Sequence, residues 1–167
     1  MKDAPAVVSD RPTEIPPTDV PENRVRLSWP HLILGVIGSM VSLYALIIHN
    51  RIKAGGESGC GFTETINCDK VLTSDWGVFL HIPLGAWGMA FFFIVILTAI
   101  TTAPPTTSAR RIAAPRLLVA TLGLAACGVL SYISLAIIGA ACPICIATYV
   151  TTFLLFLVSL YEYAKAR

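Results

Sequence analysis

Charged residues are scarce in this chain of 167 residues: they make up only 13% of it, whereas hydrophobic residues make up 55%. An ordinary soluble domain carries about 25% charged residues, so this composition argues against a water-soluble globule. The net charge is only +2, and the sequence has no run rich in Lys and Arg that would neutralise a phosphate backbone. We therefore expect no nucleic-acid partner.

The sequence also lacks the usual signatures of tightly bound redox cofactors. It contains no Gly-rich dinucleotide fingerprint, no haem attachment motif and no ferredoxin-like run of cysteines. Its histidines, His31, His49 and His81, lie in different segments from the Cys-x-x-Cys pair at Cys142 and Cys145. Because a structural metal site normally needs four such ligands, we predict no metal site.

Charges are absent from three long stretches, 27–50, 76–109 and 117–161. A helix needs about 20 apolar residues to cross a membrane, and the third stretch as one helix would be roughly 68 Å long, about twice the hydrocarbon thickness. It must therefore fold back, and the break at Gly139–Pro143 is the place. We predict an all-α integral membrane protein, a four-helix bundle with a long first loop. Its transmembrane helices lie at about 30–48, 78–100, 117–138 and 144–161.

The regions outside these helices predict the orientation of the bundle. Residues 1–26 contain five prolines and few large apolar residues, which predicts a disordered tail before a membrane domain at 27–163 and a short end at 164–167. Nine Lys and Arg residues lie in the tail, the 101–116 loop and the C-terminal end, against three on the other side. The richer side is predicted to be cytoplasmic. Both termini would then be cytoplasmic and the long first loop extracytoplasmic.

Four of the five cysteines would face that same outer compartment, where disulfides persist. Cys142 and Cys145 begin the fourth predicted helix, whose positive end stabilises a thiolate. Cys60 and Cys68 lie in a glycine-rich loop that gives the chain around Cys60 mobility. Two pairs on one side favour a relay by thiol–disulfide exchange that ends on a lipid-soluble quinone. Cys127 is predicted to be a dispensable small hydrophobic residue.

Taken together, the motifs resemble the vitamin K epoxide reductase-like proteins, over about residues 29 to 161. The spacing of seven residues between Cys60 and Cys68 is one part of that pattern. The other parts, in chain order, are Ser42-Leu43-Tyr44-Ala45-Leu46, Thr73-Ser74-Asp75-Trp76-Gly77, Cys142-Pro143-Ile144-Cys145 and Ala147-Thr148-Tyr149.

The resemblance implies a four-helix bundle that couples the reduction of a quinone to the oxidation of a dithiol. By this implication, Cys60 exchanges with a thioredoxin-like partner protein and Cys68 passes electrons to Cys142. Cys145, the buried member of its pair, then reacts with the quinone. The partner is expected to be a separate chain.

Three further residues are candidates for the quinone site. Ser74 matches the Ser or Thr that caps the family's pocket, although a Ser beside a short helix more commonly bonds to backbone. Tyr149 follows Cys145 by about one helical turn and can donate to a quinone carbonyl, or it can be an interfacial tyrosine. His81 stands where vertebrate members have an Asn, and it is either a second donor or a residue of the interface.

These observations predict a bacterial standalone homologue in the plasma (inner) membrane. It would oxidise a thioredoxin-like (DsbA-like) protein and pass the electrons to menaquinone or ubiquinone, quinones of the vitamin K type, thereby supporting disulfide formation. One alternative is a vitamin K epoxide or quinone reductase of the endoplasmic reticulum membrane. An alternative of a different class is a non-catalytic membrane scaffold or metal-binder with two structural cysteine pairs.

Overall fold

A computed structural model describes residues 24–61, 63–103 and 108–166. Of the tail predicted at 1–26, residues 1–23 lie outside the described residues. The described helices are α1 (Trp29–Lys53), α2 (Cys68–Leu72), α3 (Leu84–Ala99), α4 (Ala109–Tyr132) and α5 (Pro143–Lys165). The described strands are β1 (Arg24–Leu27), β2 (Val78–Phe79), β3 (Ile82–Pro83) and β4 (Ile100–Ala103), and a π-helical turn, Ile133–Ile138, extends α4.

Three of these helices are long and apolar enough to cross a membrane: α1, α5, and α4 together with its π-helical extension. The apolar helix α3 has only 16 residues, about 24 Å at 1.5 Å per residue, which is shorter than a hydrocarbon core of about 30 Å. Large apolar side chains project outwards from the long helices, among them Met40, Leu118 and Phe153. Such a surface indicates a multi-pass membrane protein.

The segment 78–100 differs from the single helix that the sequence predicts. Its first residues form an antiparallel hairpin in which Val78 pairs with Pro83 and Phe79 with Ile82. The two turn residues, Leu80 and His81, have φ of 53° and 65°, a conformation that no helix residue adopts. Pro83 occupies the N-cap position, so α3 starts at Leu84 and not at Val78.

The loop predicted at 101–116 is also shorter than expected. Strand β4 continues directly from α3 and pairs antiparallel with β1, with Leu27 opposite Ile100 and Arg24 opposite Ala103. This pairing places residues 24–26 in a strand, although the sequence assigns them to the tail. On the other side of the loop, α4 already begins at Ala109 and runs through a proline.

Glycines allow α1 and α3 to pack closely against each other. Gly38 faces the ring of Phe92, and a Cβ at this position would overlap that ring. Gly88 lies against the hydroxyl of Ser42, and Gly85 lies against the backbone of α1. Small residues let membrane helices approach in this way. The bundle is completed by α5, which packs against α4 and α1.

A buried polar cluster joins three helices at the end of the bundle where β1 and β4 pair. Ser28 Oγ donates to Glu162 Oε1 at 2.7 Å, and Arg116 Nη1 bonds to Glu162 Oε2 at 3.0 Å. His31 Nε2 lies 2.9 Å from Ser159 Oγ. Because buried charges are costly unless they are paired, these bonds fix the ends of α1, α4 and α5 relative to one another.

The close contact between α1 and α3 generates a stability prediction. We expect Gly38→Ala to lower the free energy of unfolding by about 1–3 kcal/mol, because the new Cβ overlaps the fully buried Phe92 ring and forces it to shift. The matched control is Gly128→Ala, since a Cβ at Gly128 meets nothing. Thermal unfolding in detergent, followed by circular dichroism, measures both. Equal midpoints for the two variants would contradict this packing.

Candidate active site

The outer cysteine pair is a disulfide between Cys60 and Cys68, with 5.7 Å between the two Cα atoms. Cys68 is the first residue of α2 and is fully buried, whereas Cys60 in the preceding loop is half-buried. Asn67 begins this helix, because its side-chain oxygen accepts the backbone N–H of Lys70 at 3.1 Å. The cap fixes where Cys68 stands and leaves Cys60 nearer the surface.

The sulfur of Cys142 lies 3.4 Å from the sulfur of Cys68. Both side chains are at most 1% exposed, so this contact is shielded from water. Cys142 and Cys145 are free thiols. The structure therefore holds a disulfide in the outer pair against two free thiols in the inner pair, with the sulfurs of Cys68 and Cys142 in contact.

Backbone hydrogen bonds hold the two cysteine segments together. The N–H of Ala141 donates to the carbonyl of Thr65 at 2.7 Å, and the N–H of Asn67 donates to the carbonyl of Ala141 at 3.0 Å. The resulting short parallel bridge pairs Ile66 with Ala141. Each strand of the bridge ends next to a cysteine, so the bridge sets the distance between Cys68 and Cys142.

The turn that carries Cys142 is closed by a change of helical geometry. The π-helical turn at the end of α4 stops at Gly139, whose φ of 67° favours glycine. Ser134 in that turn donates its hydroxyl to the carbonyl of Ala140 at 2.6 Å. Pro143 then occupies the first turn of α5, where its missing N–H costs nothing. Cys142 consequently caps α5.

The position of Cys142 at the start of α5 changes the acidity of its thiol. A hydrogen bond from the Cys145 side chain is the main cause that lowers the pKa of Cys142 from 9.0 to about 7. The backbone N–H groups of Cys145 and Ile144 act in the same direction, whereas burial opposes them. Cys142 is therefore the group of this pair that becomes a thiolate near neutral pH.

A cavity of about 750 Å³ opens beside Cys145 and extends into the bundle. It is bounded by α1, α3, α4, α5 and the segment from α2 to the hairpin, and most of its lining is apolar. The lining includes Trp76, Trp87, Phe91, Phe92, Leu122 and Tyr149. Its volume and apolar lining are typical of sites for small ligands.

Comparison with known families identifies the chain. Residues 29–160 match the vitamin K epoxide reductase family. The chain belongs to this family. No curated protein sequence matches it. Membership confirms the resemblance and makes the protein an oxidoreductase of a quinone-linked kind.

Two of the three candidate quinone residues, Ser74 and Tyr149, line the cavity. Tyr149 makes no hydrogen bond through its hydroxyl to any described residue, so its donor is available to a ligand. Ser74 instead donates to the carbonyl of Val71 at 2.7 Å, the local bond that the sequence left as one option. His81 is exposed in the hairpin turn and is not part of the lining.

One residue of this site carries no signal in the sequence. Cys127 lines the same cavity as Cys145, although the sequence assigns it to helix packing alone. A lone cysteine in an apolar helix gives no signal of this, because only the packing of α4 against α5 determines what it faces. In the part of the chain that the structure describes, no three His, Cys, Asp or Glu side chains come together as a metal site.

The shift at Cys142 predicts how the reactivity of this family member depends on pH. With its pKa lowered to about 7, Cys142 is mostly a thiolate at about pH 8 and mostly a thiol at about pH 6. We expect the rate of alkylation of Cys142 by a small uncharged reagent to rise with a midpoint near pH 7. In Cys145→Ala the main hydrogen bond is lost, so the midpoint moves upwards. Peptide mass spectrometry measures it, and identical midpoints would contradict this cause.

Proposed function

We propose that this protein is a dithiol:quinone oxidoreductase that oxidises an extracytoplasmic thioredoxin-like protein and reduces a membrane quinone. The observation that carries the proposal is the distance of 3.4 Å between the sulfurs of Cys68 and Cys142. Thiol–disulfide exchange requires direct contact between sulfurs. This contact links the half-buried Cys60 to Cys145 at the cavity through an unbroken series of cysteines.

The proposed transfer between the pairs has two steps. First, the Cys68 thiolate attacks the sulfur of Cys142 in a Cys142–Cys145 disulfide, and the electron pair leaves on Cys145. Next, the Cys60 thiolate attacks Cys68, which forms the Cys60–Cys68 bond and releases Cys142 as a thiolate. The outer pair loses two electrons and the inner pair gains two. A Cys60–Cys68 disulfide beside two free thiols is the state that this transfer would produce.

The low pKa of Cys142 supports the second step. A thiol leaves faster from a disulfide when its pKa is lower, and the pKa of Cys142 is lowered to about 7 by the hydrogen bond from Cys145. The disulfide between Cys68 and Cys142 is therefore easily broken by attack on Cys68. Cys142 leaves as a thiolate, and the inner pair is then reduced. The same hydrogen bond keeps Cys145 next to Cys142, so that the Cys142–Cys145 disulfide can form again when the inner pair is oxidised.

The cavity beside Cys145 is the proposed quinone site. Its volume of about 750 Å³ and its aromatic walls suit a flat apolar ring. A bound quinone would accept two electrons and two protons. Tyr149 would donate a hydrogen bond to one carbonyl, since its hydroxyl has no partner among the described residues. Ser74 would shape the wall, and we do not assign His81 to the site.

We further propose that the protein crosses the membrane four times, with α3 as the second crossing and the hairpin at its extracytoplasmic end. The excess of Lys and Arg at the end opposite the cysteines supports a cytoplasmic position for that end. The cysteines would then face the compartment in which secreted proteins form disulfides. The partner would be a separate thioredoxin-like chain, and menaquinone or ubiquinone of a bacterial plasma membrane would be the acceptor.

Quinone reduction tests the inner end of this scheme. We expect Cys145→Ala to lower quinol formation to the background rate, because the electron donor at the cavity is removed. The assay supplies a reduced thioredoxin-like protein and a soluble quinone, and it follows the absorbance of the quinone. Val150→Ala is the matched control, because this residue lies on the outward face of the same helix. Turnover by Cys145→Ala at the rate of the unchanged protein would refute the proposal.

Trapping tests the contact between the pairs. In Cys60→Ala the second step has no attacking thiolate, so we expect a disulfide between Cys68 and Cys142 to accumulate. Non-reducing peptide mapping by mass spectrometry detects it. In a structural scaffold the same substitution would lower the unfolding temperature without forming this bond. Absence of the Cys68–Cys142 disulfide under oxidising conditions would therefore count against the relay.

A further inference from the structure

A serine lies against the sulfur of the outermost cysteine. Ser58 is only 6% exposed, although it belongs to the loop between α1 and α2. Its Oγ lies 3.2 Å from the amide nitrogen of Cys60 and 3.5 Å from the Cys60 sulfur. The backbone N–H of Ser58 donates to Asp69 Oδ1 at 3.1 Å, which ties the loop to the residue after Cys68.

The direction of these hydrogen bonds follows from the chemistry of the groups. The amide N–H of Cys60 donates to Ser58 Oγ, which therefore acts as the acceptor in that bond. The Cys60 sulfur is part of a disulfide and carries no hydrogen, so it has nothing to donate. Among the described residues, the Cys60 sulfur is the acceptor left for the hydroxyl proton of Ser58.

Other hydroxyl groups near the two cysteine segments are engaged elsewhere. Thr63 Oγ1 accepts the N–H of Ile66 at 3.0 Å, and Thr73 Oγ1 donates to the carbonyl of Asp69 at 2.6 Å. Ser134 donates to a backbone carbonyl. Among the described residues of this loop and of the turn before α5, Ser58 is thus the residue whose hydroxyl contacts a cysteine sulfur, that of Cys60.

We propose that Ser58 is a catalytic residue that stabilises Cys60 as a thiolate. A disulfide sulfur is a weak acceptor, whereas a thiolate is charged and forms a much stronger hydrogen bond. The Ser58 contact is therefore strengthened when the Cys60–Cys68 bond opens. The inference rests on the proposed relay, in which Cys60 is the cysteine that exchanges with the partner.

Cys60 carries the electron pair between two steps of that relay. It becomes a thiolate when the oxidised partner leaves it, and it remains one until it attacks Cys68 in the Cys68–Cys142 disulfide. In that attack the Cys60–Cys68 bond forms, the Cys68–Cys142 bond breaks, and the electron pair leaves on Cys142. The hydroxyl proton stays on Ser58 throughout. By holding the charge, Ser58 raises the fraction of Cys60 that is ready to attack at neutral pH.

A titration of Cys60 in the full chain tests the role of Ser58. Cys68→Ala leaves Cys60 as a free thiol, and its rate of alkylation is followed against pH by mass spectrometry of the Cys60 peptide. Adding Ser58→Ala removes the donor, and we expect the midpoint of Cys60 to rise by about one pH unit. Ser58→Gly is a second variant without the hydroxyl and has the same expected effect. Ser58→Thr retains a hydroxyl, and Thr63→Ala removes one that does not face the sulfur, so both should leave the midpoint in place.

The outcomes separate this inference from the relay itself. An unchanged midpoint in Ser58→Ala and Ser58→Gly overturns the inference, and so does an equal rise in Ser58→Thr, which would assign the effect to loop geometry. The titration uses neither quinone nor partner protein. If the midpoint rises but the unchanged protein reduces no quinone, the relay fails and the catalytic role fails with it. If quinone is reduced and the midpoint is unchanged, only the inference on Ser58 fails.

Discussion

The contact between the sulfurs of Cys68 and Cys142 is the constraint on which the rest of this structure depends. The two residues are far apart in the chain, and neither α2 nor α5 could bring their sulfurs together by itself. A short parallel bridge between residues 65–67 and Ala141 sets their distance. The packing of α1 against α5, and of α2 against the π-helical turn, brings the two sides of that bridge together.

Burial gives the cysteines different access to solvent and to partners. Cys60 is half-buried, Cys68 and Cys142 are shielded almost completely, and Cys145 borders the apolar cavity. In the proposed relay, electrons that enter at the surface would pass through a contact that is shielded from water and from foreign thiols. The hydrogen bond that lowers the pKa of Cys142 would give this passage a direction, because the better leaving group lies on the inner side.

Much of this arrangement could be predicted from the sequence because it depends on composition and spacing. The charge gaps predict the long helices, and the Cys-x-x-Cys pair with its proline predicts the start of α5. The hairpin before α3 could not be predicted in this way, since Leu80 and His81 adopt positive φ without being glycine. Likewise, nothing local marks Ser58 or Cys127. The folded chain alone places the Cys60 sulfur beside Ser58 and the cavity beside Cys127.

The shortness of α3 has a consequence for the lipid around the protein. A bilayer adjusts to a segment shorter than its hydrocarbon core by thinning locally, and α3 supplies Gly88 and Phe91 to one wall of the cavity. The thinned lipid would therefore lie along this wall and not evenly around the bundle. The thickness of the host membrane would therefore affect how much lipid covers the α3 wall of the cavity.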